Sequence, residues 1–249
     1  SLQWRHKQFL KNPPLEKGEL LDIGCGPAEF LNECRKIGFS VLGADIAPRN
    51  VAAAKESYGI EVVQGGAGEV LVKYPERKFD IITFFEIVEH LADPVGFFKE
   101  VKSILKPGGF IVMSVPNSAR FGGLFEKEEN PPNHLLRWKK ESLGKFLSKE
   151  DFCNIRILEQ PISFEYPMVR GWFSFGIIKP ASNNRKNSEG SDLPQVGSYS
   201  KKEKILKYLA YFKNKLAVPL SAVLMIPLGI LGVKYWDMYA VARLSDNKK

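Results

Sequence analysis

The sequence predicts an α/β fold: a mostly parallel, seven-stranded sheet with helices on both faces and an inserted helical lid before the last strand. Three observations carry that expectation. Apolar runs alternate with helical patterns over residues 19–158, the order expected where helical crossovers join parallel strands. Residues 20–30 run from an apolar strand straight into a glycine-rich turn and a helix. An alternating run, Asp237–Leu244, stands near the other end of the chain, after a long stretch that is polar and then apolar.

Taken in order, residues 20–23, 41–45, 60–64, Phe79–Phe85 and residues 110–115 read as strands, because each is a short, nearly continuous apolar run of the kind a doubly covered sheet buries. Residues 29–37, 47–57 and 94–105 read as the helices between them. The last is closed by Lys106-Pro107-Gly108-Gly109, which cannot continue a helix. A helix over residues 139–147 leads to a strand at residues 154–158, and Asp237–Leu244 closes the sheet antiparallel to its neighbours. The expected organisation is a core at residues 1–163, an apolar insertion at residues 164–234 with a flexible linker at residues 181–200, and a closing strand with tail at residues 235–249.

At 249 residues, 44% hydrophobic and 26% charged, the chain has the composition of a globular protein with one elaborated domain. Three cysteines, Cys25, Cys34 and Cys153, are too few for a disulfide framework or a cysteine-rich zinc site and suit a reducing compartment. The first residues show no charged-then-apolar leader, so the expected location is cytoplasmic. The net charge of +8 falls entirely within residues 179–249, since residues 1–178 carry equal numbers of basic and acidic side chains. A basic face across the core, and with it a nucleic-acid partner, is not expected; local attraction to an anionic surface is.

The glycine-rich turn reads Asp22-Ile-Gly24-Cys-Gly26. A Cβ at either glycine would keep the backbone away from a ligand lying over the strand's carboxyl end. Asp45 stands at the end of the second strand, where a carboxylate accepts hydrogen bonds from both hydroxyls of a ribose. Cys25 reads as a packing residue beside the turn, Phe84 and Phe85 as core or cofactor-packing residues, and His6 as a surface residue.

These residues resemble the class I S-adenosylmethionine-dependent methyltransferases, whose D-x-G-x-G turn Asp22, Gly24 and Gly26 match. No third glycine follows at dinucleotide spacing, which argues against NAD. The likeness continues through Phe79-Asp80-Ile-Ile, Glu86-Ile-Val-Glu89-His90-Leu, Leu105-Lys-Pro-Gly-Gly109 and Val115-Pro-Asn117, covering roughly residues 19–160. It implies a Rossmann-like fold and S-adenosylmethionine as cofactor. By the same resemblance Asp22, Gly24, Cys25 and Gly26 lie near the amino-acid portion of the cofactor, Asp45 at the ribose, and Gly66 and Ala67 at the adenine, with Ile46 and Phe85 also among the cofactor-binding residues. The chain departs from the family at Gln64-Gly65-Gly66-Ala67-Gly68, where relatives carry an acidic residue for the adenine amino group. Backbone groups such as the Ala67 N–H then hold adenine, and cofactor affinity is expected to be weaker.

If Glu86 begins a helical turn, it shares a side with Glu89 and His90 at i+3 and i+4. With His134, from the segment after the fifth strand, these residues make a mixed oxygen and nitrogen set suited to Mg²⁺, Mn²⁺, Fe²⁺ or Zn²⁺. The pattern is similar to the E-x-x-E-H plus distant His of metal-dependent O-methyltransferases, including the ubiquinone-biosynthesis group. That likeness implies Glu86, Glu89, His90 and His134 as metal ligands, and His90, Glu86 and His134 as catalytic residues. Plainer readings stand beside it: Glu86 positioning substrate or cofactor, Glu89 a solvated helix residue, and His90 a metal-free general base. Trp138 and Arg137 either bound the acceptor pocket or start a helix.

Residues 201–216 form a basic amphipathic pattern, with Ile205, Leu209, Phe212 and Leu216 on one stripe, followed by uncharged residues 216–233 broken by Pro219 and Pro227. Two readings follow: a lid docking on an anionic membrane, at its cytoplasmic face, or a lid folded over the sheet. The function expected is S-adenosylmethionine-dependent O-methylation of a hydroxyl on a small or lipid-linked acceptor. The alternatives are a soluble sugar or small-metabolite O- or N-methyltransferase, and a non-catalytic cofactor-binding membrane adaptor.

Overall fold

Buried strands order the molecule. The structure, a computed structural model, describes residues 2–119, 131, 133–160 and 237–246. The expected insertion at residues 164–234, with its linker, basic stripe and apolar stretch, lies outside the described residues. Among the described residues no helix is long and apolar enough to cross a membrane.

The elements run α1 (Trp4–Lys11), β1 (Gly18–Ile23), α2 (Glu29–Lys36), β2 (Phe39–Asp45), α3 (Pro48–Tyr58), β3 (Val62–Gln64), α4 (Ala67–Lys73), β4 (Phe79–Phe85), a 3₁₀ turn (Val88–His90), α5 (Pro94–Ile104), β5 (Leu105–Pro116), α6 (Lys140–Lys149), β6 (Phe152–Glu159) and β7 (Asp237–Leu244). Seven strands join in the order β3-β2-β1-β4-β5-β7-β6. The sheet is parallel from β3 to β5, while β7 runs antiparallel to both β5 and β6. The Rossmann-like architecture expected from the sequence is therefore present, closing strand included.

Alternation along each strand sends side chains to two separate cores. Leu20, Ile81 and Val112 pack with Phe9 of α1, Phe30, Leu31 and Cys34 of α2, and Ala54 of α3. On the other face Leu21, Ile82, Ile111 and Met113 pack with Val70 of α4, Phe98 and Val101 of α5, and Leu143 and Leu147 of α6. Each fully buried Leu, Ile or Phe removes apolar surface worth roughly 1.5–3 kcal/mol, so a covered sheet face is the main stabiliser of both layers.

Three local features differ from the sequence reading. The Lys106-Pro107-Gly108-Gly109 stop ends α5 but enters β5 as its irregular first turn: Phe79 pairs with Leu105, and the register shifts before Ile81 pairs with Phe110. Gly108, at φ 69°, absorbs that bulge. Helix α4 forms in spite of three nearby glycines, because the Glu69 carboxylate accepts the Gly66 N–H at 2.7 Å and closes its first turn. Helix α1 shows little periodicity and is held instead by aromatic contacts.

Those contacts correct the reading of His6 as a surface residue. Its ring stacks on Phe30 at 4.9 Å and meets Phe85 edge-on at 5.2 Å. Burial, followed by the Arg5 charge, lowers its pKa to about 4.

The chain leaves β1 toward β2 and β3, then crosses back to β4 and β5. Strand order reverses between β1 and β4, so a crevice opens at their carboxyl ends, the place where such sheets take ligands.

Candidate cofactor and acceptor site

At one side of this crevice lies the glycine turn. Gly24 and Gly26 have φ values of 75° and 56°, which only glycine adopts without strain. A Cβ on Gly24 would come within 2.7 Å of Ile87 Cδ1. The Gly24 and Cys25 amides donate to the Ala44 carbonyl at 2.7 and 3.1 Å, which ties the turn to the end of β2.

Asp45 completes that tie. Its Oδ2 accepts the Gly26 N–H at 2.8 Å, while Oδ1 accepts the Ala47 N–H at 2.9 Å and the Asn50 side-chain amide at 3.0 Å. A carboxylate offers about four acceptor positions, so roughly one remains for a ligand hydroxyl. The carboxylate expected to receive both ribose hydroxyls is largely occupied in shaping the turn.

Asp22 is buried, and its Oδ1 accepts the Thr83 hydroxyl at 2.6 Å. Burial pushes its pKa up to about 7, against the opposing effect of the Thr83 bond. Cys25 is buried with its thiol pKa raised by burial, which keeps it a thiol. A Cβ at Gly43 would meet Cys25 Sγ at 2.6 Å, so these two residues interlock. Ile46 is 81% exposed at the end of β2, whereas Ala67 is buried. The Gly66 N–H is already donated to Glu69. Phe85 packs among Phe30, His6 and Tyr239.

Across the crevice, beyond β4, the predicted ligand set divides. Glu89, His90 and His134 each offer a ligand atom, and these atoms lie within 4.8 Å of one another. Glu86 is not among them, which corrects its expected place. Its backbone sits at φ 56°, and the helical turn begins only at Val88, so the i, i+3, i+4 geometry assumed from residue 86 does not form. Glu86 Oε1 instead accepts the Ser114 hydroxyl at 2.7 Å and lies 3.6 Å from Arg5 Nη1.

Glu89 is 1% exposed, and among the described residues neither carboxylate oxygen has a hydrogen-bond donor. Burial first, then the neighbouring Glu86 charge, raises its pKa. His134 is delivered by the backbone: the Leu135 and Leu136 amides donate to the Glu89 carbonyl at 2.8 and 3.0 Å. The His90 and His134 rings meet edge-on at 4.8 Å. His90 Nδ1 lies 2.6 Å from the Asn133 carbonyl; since a carbonyl only accepts, that nitrogen carries the proton. In the neutral ring Nε2 then keeps its lone pair, 3.9 Å from Glu89 Oε1. Two imidazoles, one braced through its second nitrogen by a carbonyl, and a buried carboxylate lacking partners fit a divalent cation.

Sequence reasoning missed Arg5, Ser114 and Tyr239. Arg5 comes from α1, with Nη1 4.0 Å from Asp237 Oδ2 and a buried Nε that makes no hydrogen bond. The Tyr239 hydroxyl is also buried without a partner, as is Trp138 Nε1. The one available signal was Ser114, a lone hydroxyl inside an apolar strand. Trp138 is largely buried against Phe146.

A family model described as a methyltransferase domain matches residues 3–156, more than half of the chain. The chain belongs to the methyltransferase-domain family. Within it, similar proteins include the ubiquinone biosynthesis O-methyltransferase of Cereibacter sphaeroides, 39% identical over 108 residues that make up 42% of this chain and 43% of the relative. That of Dinoroseobacter shibae is 33% identical over 159 residues, 61% of this chain and 62% of the relative. The matched region thus spans less than two thirds of these relatives' length. Among solved structures, a SAM-dependent methyltransferase from Archaeoglobus fulgidus superposes with a TM-score of 0.59 at 21% identity, covering 96% of this methyltransferase-domain chain and 92% of its own. Phosphoethanolamine N-methyltransferase 2 of Haemonchus contortus, in complex with S-adenosyl-L-methionine, gives 0.57 at 16% identity, with 98% and 53% covered. At these identities the structures speak for the fold.

Proposed function

We propose that the chain is an S-adenosylmethionine-dependent O-methyltransferase whose acceptor is a hydroxyl on a small or lipid-linked molecule, assisted by a divalent cation at Glu89, His90 and His134. The observation that carries this reading is the buried, unpartnered Glu89 carboxylate converging with two imidazoles at the sheet edge that also carries the glycine turn. A buried carboxyl without hydrogen bonds costs about 1–3 kcal/mol, a cost that a ligand at this place would offset.

S-adenosylmethionine supplies an electrophilic methyl group on a sulfonium. The turn at Gly24 and Gly26 leaves room for it against bare backbone, and Asp45 keeps about one acceptor position for a ribose hydroxyl. Arg5, with an unspent Nε–H, offers a partner for the cofactor's carboxylate. A cation, when bound, lowers the pKa of an acceptor hydroxyl and fixes its oxygen. His90 Nε2, left with its lone pair by the bond from Nδ1–H to Asn133, would be one ligand of that cation, and the proton of the acidified hydroxyl would pass to water. The same nitrogen supports a second, metal-free reading with His90 as sole base.

Methyl transfer from labelled S-adenosylmethionine to a polyprenyl catechol, presented in anionic vesicles and separately in detergent, tests the reading. Activity is expected to fall at least about 100-fold on chelation, to return with Mg²⁺, Mn²⁺ or Zn²⁺, and to be lost in Glu89→Gln. Full activity after exhaustive chelation would leave only the His90 reading standing. A vesicle preference is expected if the basic residues 201–215 bring the chain to an anionic surface.

A further inference from the structure

Glu86 carries strain that the neighbouring cluster does not explain. It is a non-glycine residue at φ 56°, a strained conformation that persists only where the surroundings over-determine it. Here one residue of β5 holds both ends of Glu86: its N–H donates to the Ser114 carbonyl at 3.1 Å, and its Oε1 accepts the Ser114 hydroxyl at 2.7 Å. So fixed, the carboxylate lies 3.6 Å from Arg5 Nη1 and stays out of the group formed by Glu89, His90 and His134.

Arg5 is held in a matching way. Its side chain is 16% exposed, with Glu86 at 3.6 Å and Asp237 at 4.0 Å. Both distances suit charge attraction but exceed a direct hydrogen bond, and the buried Nε makes none at all. Two carboxylates therefore orient the guanidinium without using up its donors, which leaves its planar fork for an outside anion. A carboxylate matches that fork best, since it can accept two parallel N–H bonds.

We propose that Glu86 is a positioning residue, which holds Arg5 ready for the carboxylate of the methyl donor, and is not a ligand of the cation at Glu89, His90 and His134. The inference rests on the methyltransferase reading above and assigns Glu86 a task distinct from that of Glu89.

The experiment measures three ligands on the full chain. S-adenosylhomocysteine retains the amino-acid carboxylate, 5′-methylthioadenosine lacks it, and Co²⁺ reports the cation site through its visible absorption. Glu86→Gln is expected to weaken S-adenosylhomocysteine about tenfold while leaving 5′-methylthioadenosine and Co²⁺ within about twofold. Glu89→Gln gives the reverse, with the Co²⁺ band lost and S-adenosylhomocysteine within about twofold. Because Glu86 acts through Arg5, the double variant Arg5→Gln/Glu86→Gln binds S-adenosylhomocysteine no more weakly than Arg5→Gln alone. Ser114→Ala, which releases Glu86 without changing any charge, shows the Glu86→Gln pattern at about threefold and serves if Glu86→Gln does not fold.

Loss of the Co²⁺ band in Glu86→Gln, or an equal loss of both nucleosides, overturns the proposal. If the wild-type chain binds S-adenosylhomocysteine but not Co²⁺, the cation reading alone falls and the two nucleosides decide the role of Glu86. If the wild type binds neither nucleoside, the methyltransferase reading fails and takes this proposal with it.

Discussion

The two sides of the crevice treat their polar groups in opposite ways. On the cofactor side, the Gly24, Cys25, Gly26 and Ala47 amides all have acceptors in the fold, and Asp22 and Asp45 have donors. On the other side, both Glu89 oxygens and Trp138 Nε1 are buried without a hydrogen-bond partner, as are Arg5 Nε and the Tyr239 hydroxyl where α1 meets β7. Among the described residues, none of the buried unpartnered side-chain atoms belongs to the glycine turn, Asp22 or Asp45. Satisfied groups lower the energy of the unliganded fold, whereas unsatisfied ones raise it until something binds. The glycine turn is thus a finished surface, whereas Glu89 and its surroundings store cost that a ligand can recover.

Removing the central group of the finished side is expected to have the largest effect. Asp45→Ala leaves the Gly26 and Ala47 amides and the Asn50 side chain without their acceptor. The expected loss is about 3 kcal/mol of unfolding free energy, read by urea denaturation, with S-adenosylhomocysteine binding lost at accessible concentrations. If Asp45→Ala proves as stable as wild type, the turn does not depend on its carboxylate, and the contrast between the two sides breaks.

The opposite side should respond with the opposite sign. Replacing the unpartnered Glu89 with an apolar residue of similar volume removes a desolvation cost and adds packing. Glu89→Leu is therefore expected to be more stable than wild type by about 2 kcal/mol in chelator, although it should not turn over. It should also lose any rise in Tm that Mn²⁺ gives the wild type. A destabilised Glu89→Leu would mean that the carboxylate has partners within the fold.

This contrast also separates what the sequence could reveal from what it could not. Asp22, Gly24, Gly26 and Asp45 were legible because a turn between two adjacent parallel strands is a local object, with its residues fixed relative to one another by the strands themselves. Strands were legible for a related reason, since doubly covered strands need continuous apolar runs; even Asp237–Leu244 was found with its observed bounds. Arg5, Ser114 and Tyr239 were not legible, because sheet order brings them together: β7 returns beside β5, so that Tyr239 pairs with Ser114, and α1 packs against that edge through Trp4 and Tyr239. Glu86 was misplaced for a smaller reason. A helical period was counted from a residue whose positive φ puts it before the turn, and two residues of offset were enough to separate it from Glu89 and His90.

The smallest expected effect lies where the two sides meet, at His6, whose ring packs on Phe30 after the glycine turn and on Phe85 at the end of β4. Burial and the adjacent Arg5 charge lower its pKa from 6.5 to about 4, so the folded chain keeps the ring neutral. The Gln3 N–H donates to His6 Nδ1 at 3.2 Å, a bond that protonation of that nitrogen would end. As pH falls from 6.5 toward 4, the unfolded chain takes up a proton that the folded chain refuses, and stability drops; below about pH 4 both forms carry it and the loss is complete. His6→Phe keeps the ring contacts and removes the titration. Between pH 7 and pH 5 wild type should therefore lose about 1 kcal/mol more than His6→Phe, allowing for the solvent that reaches part of the ring. Urea denaturation of both proteins at the two pH values reads this difference directly. Equal losses would show that α1 does not hold His6 between the aromatic rings in solution, and Arg5, carried by the same helix, would lose its fixed place beside Glu86.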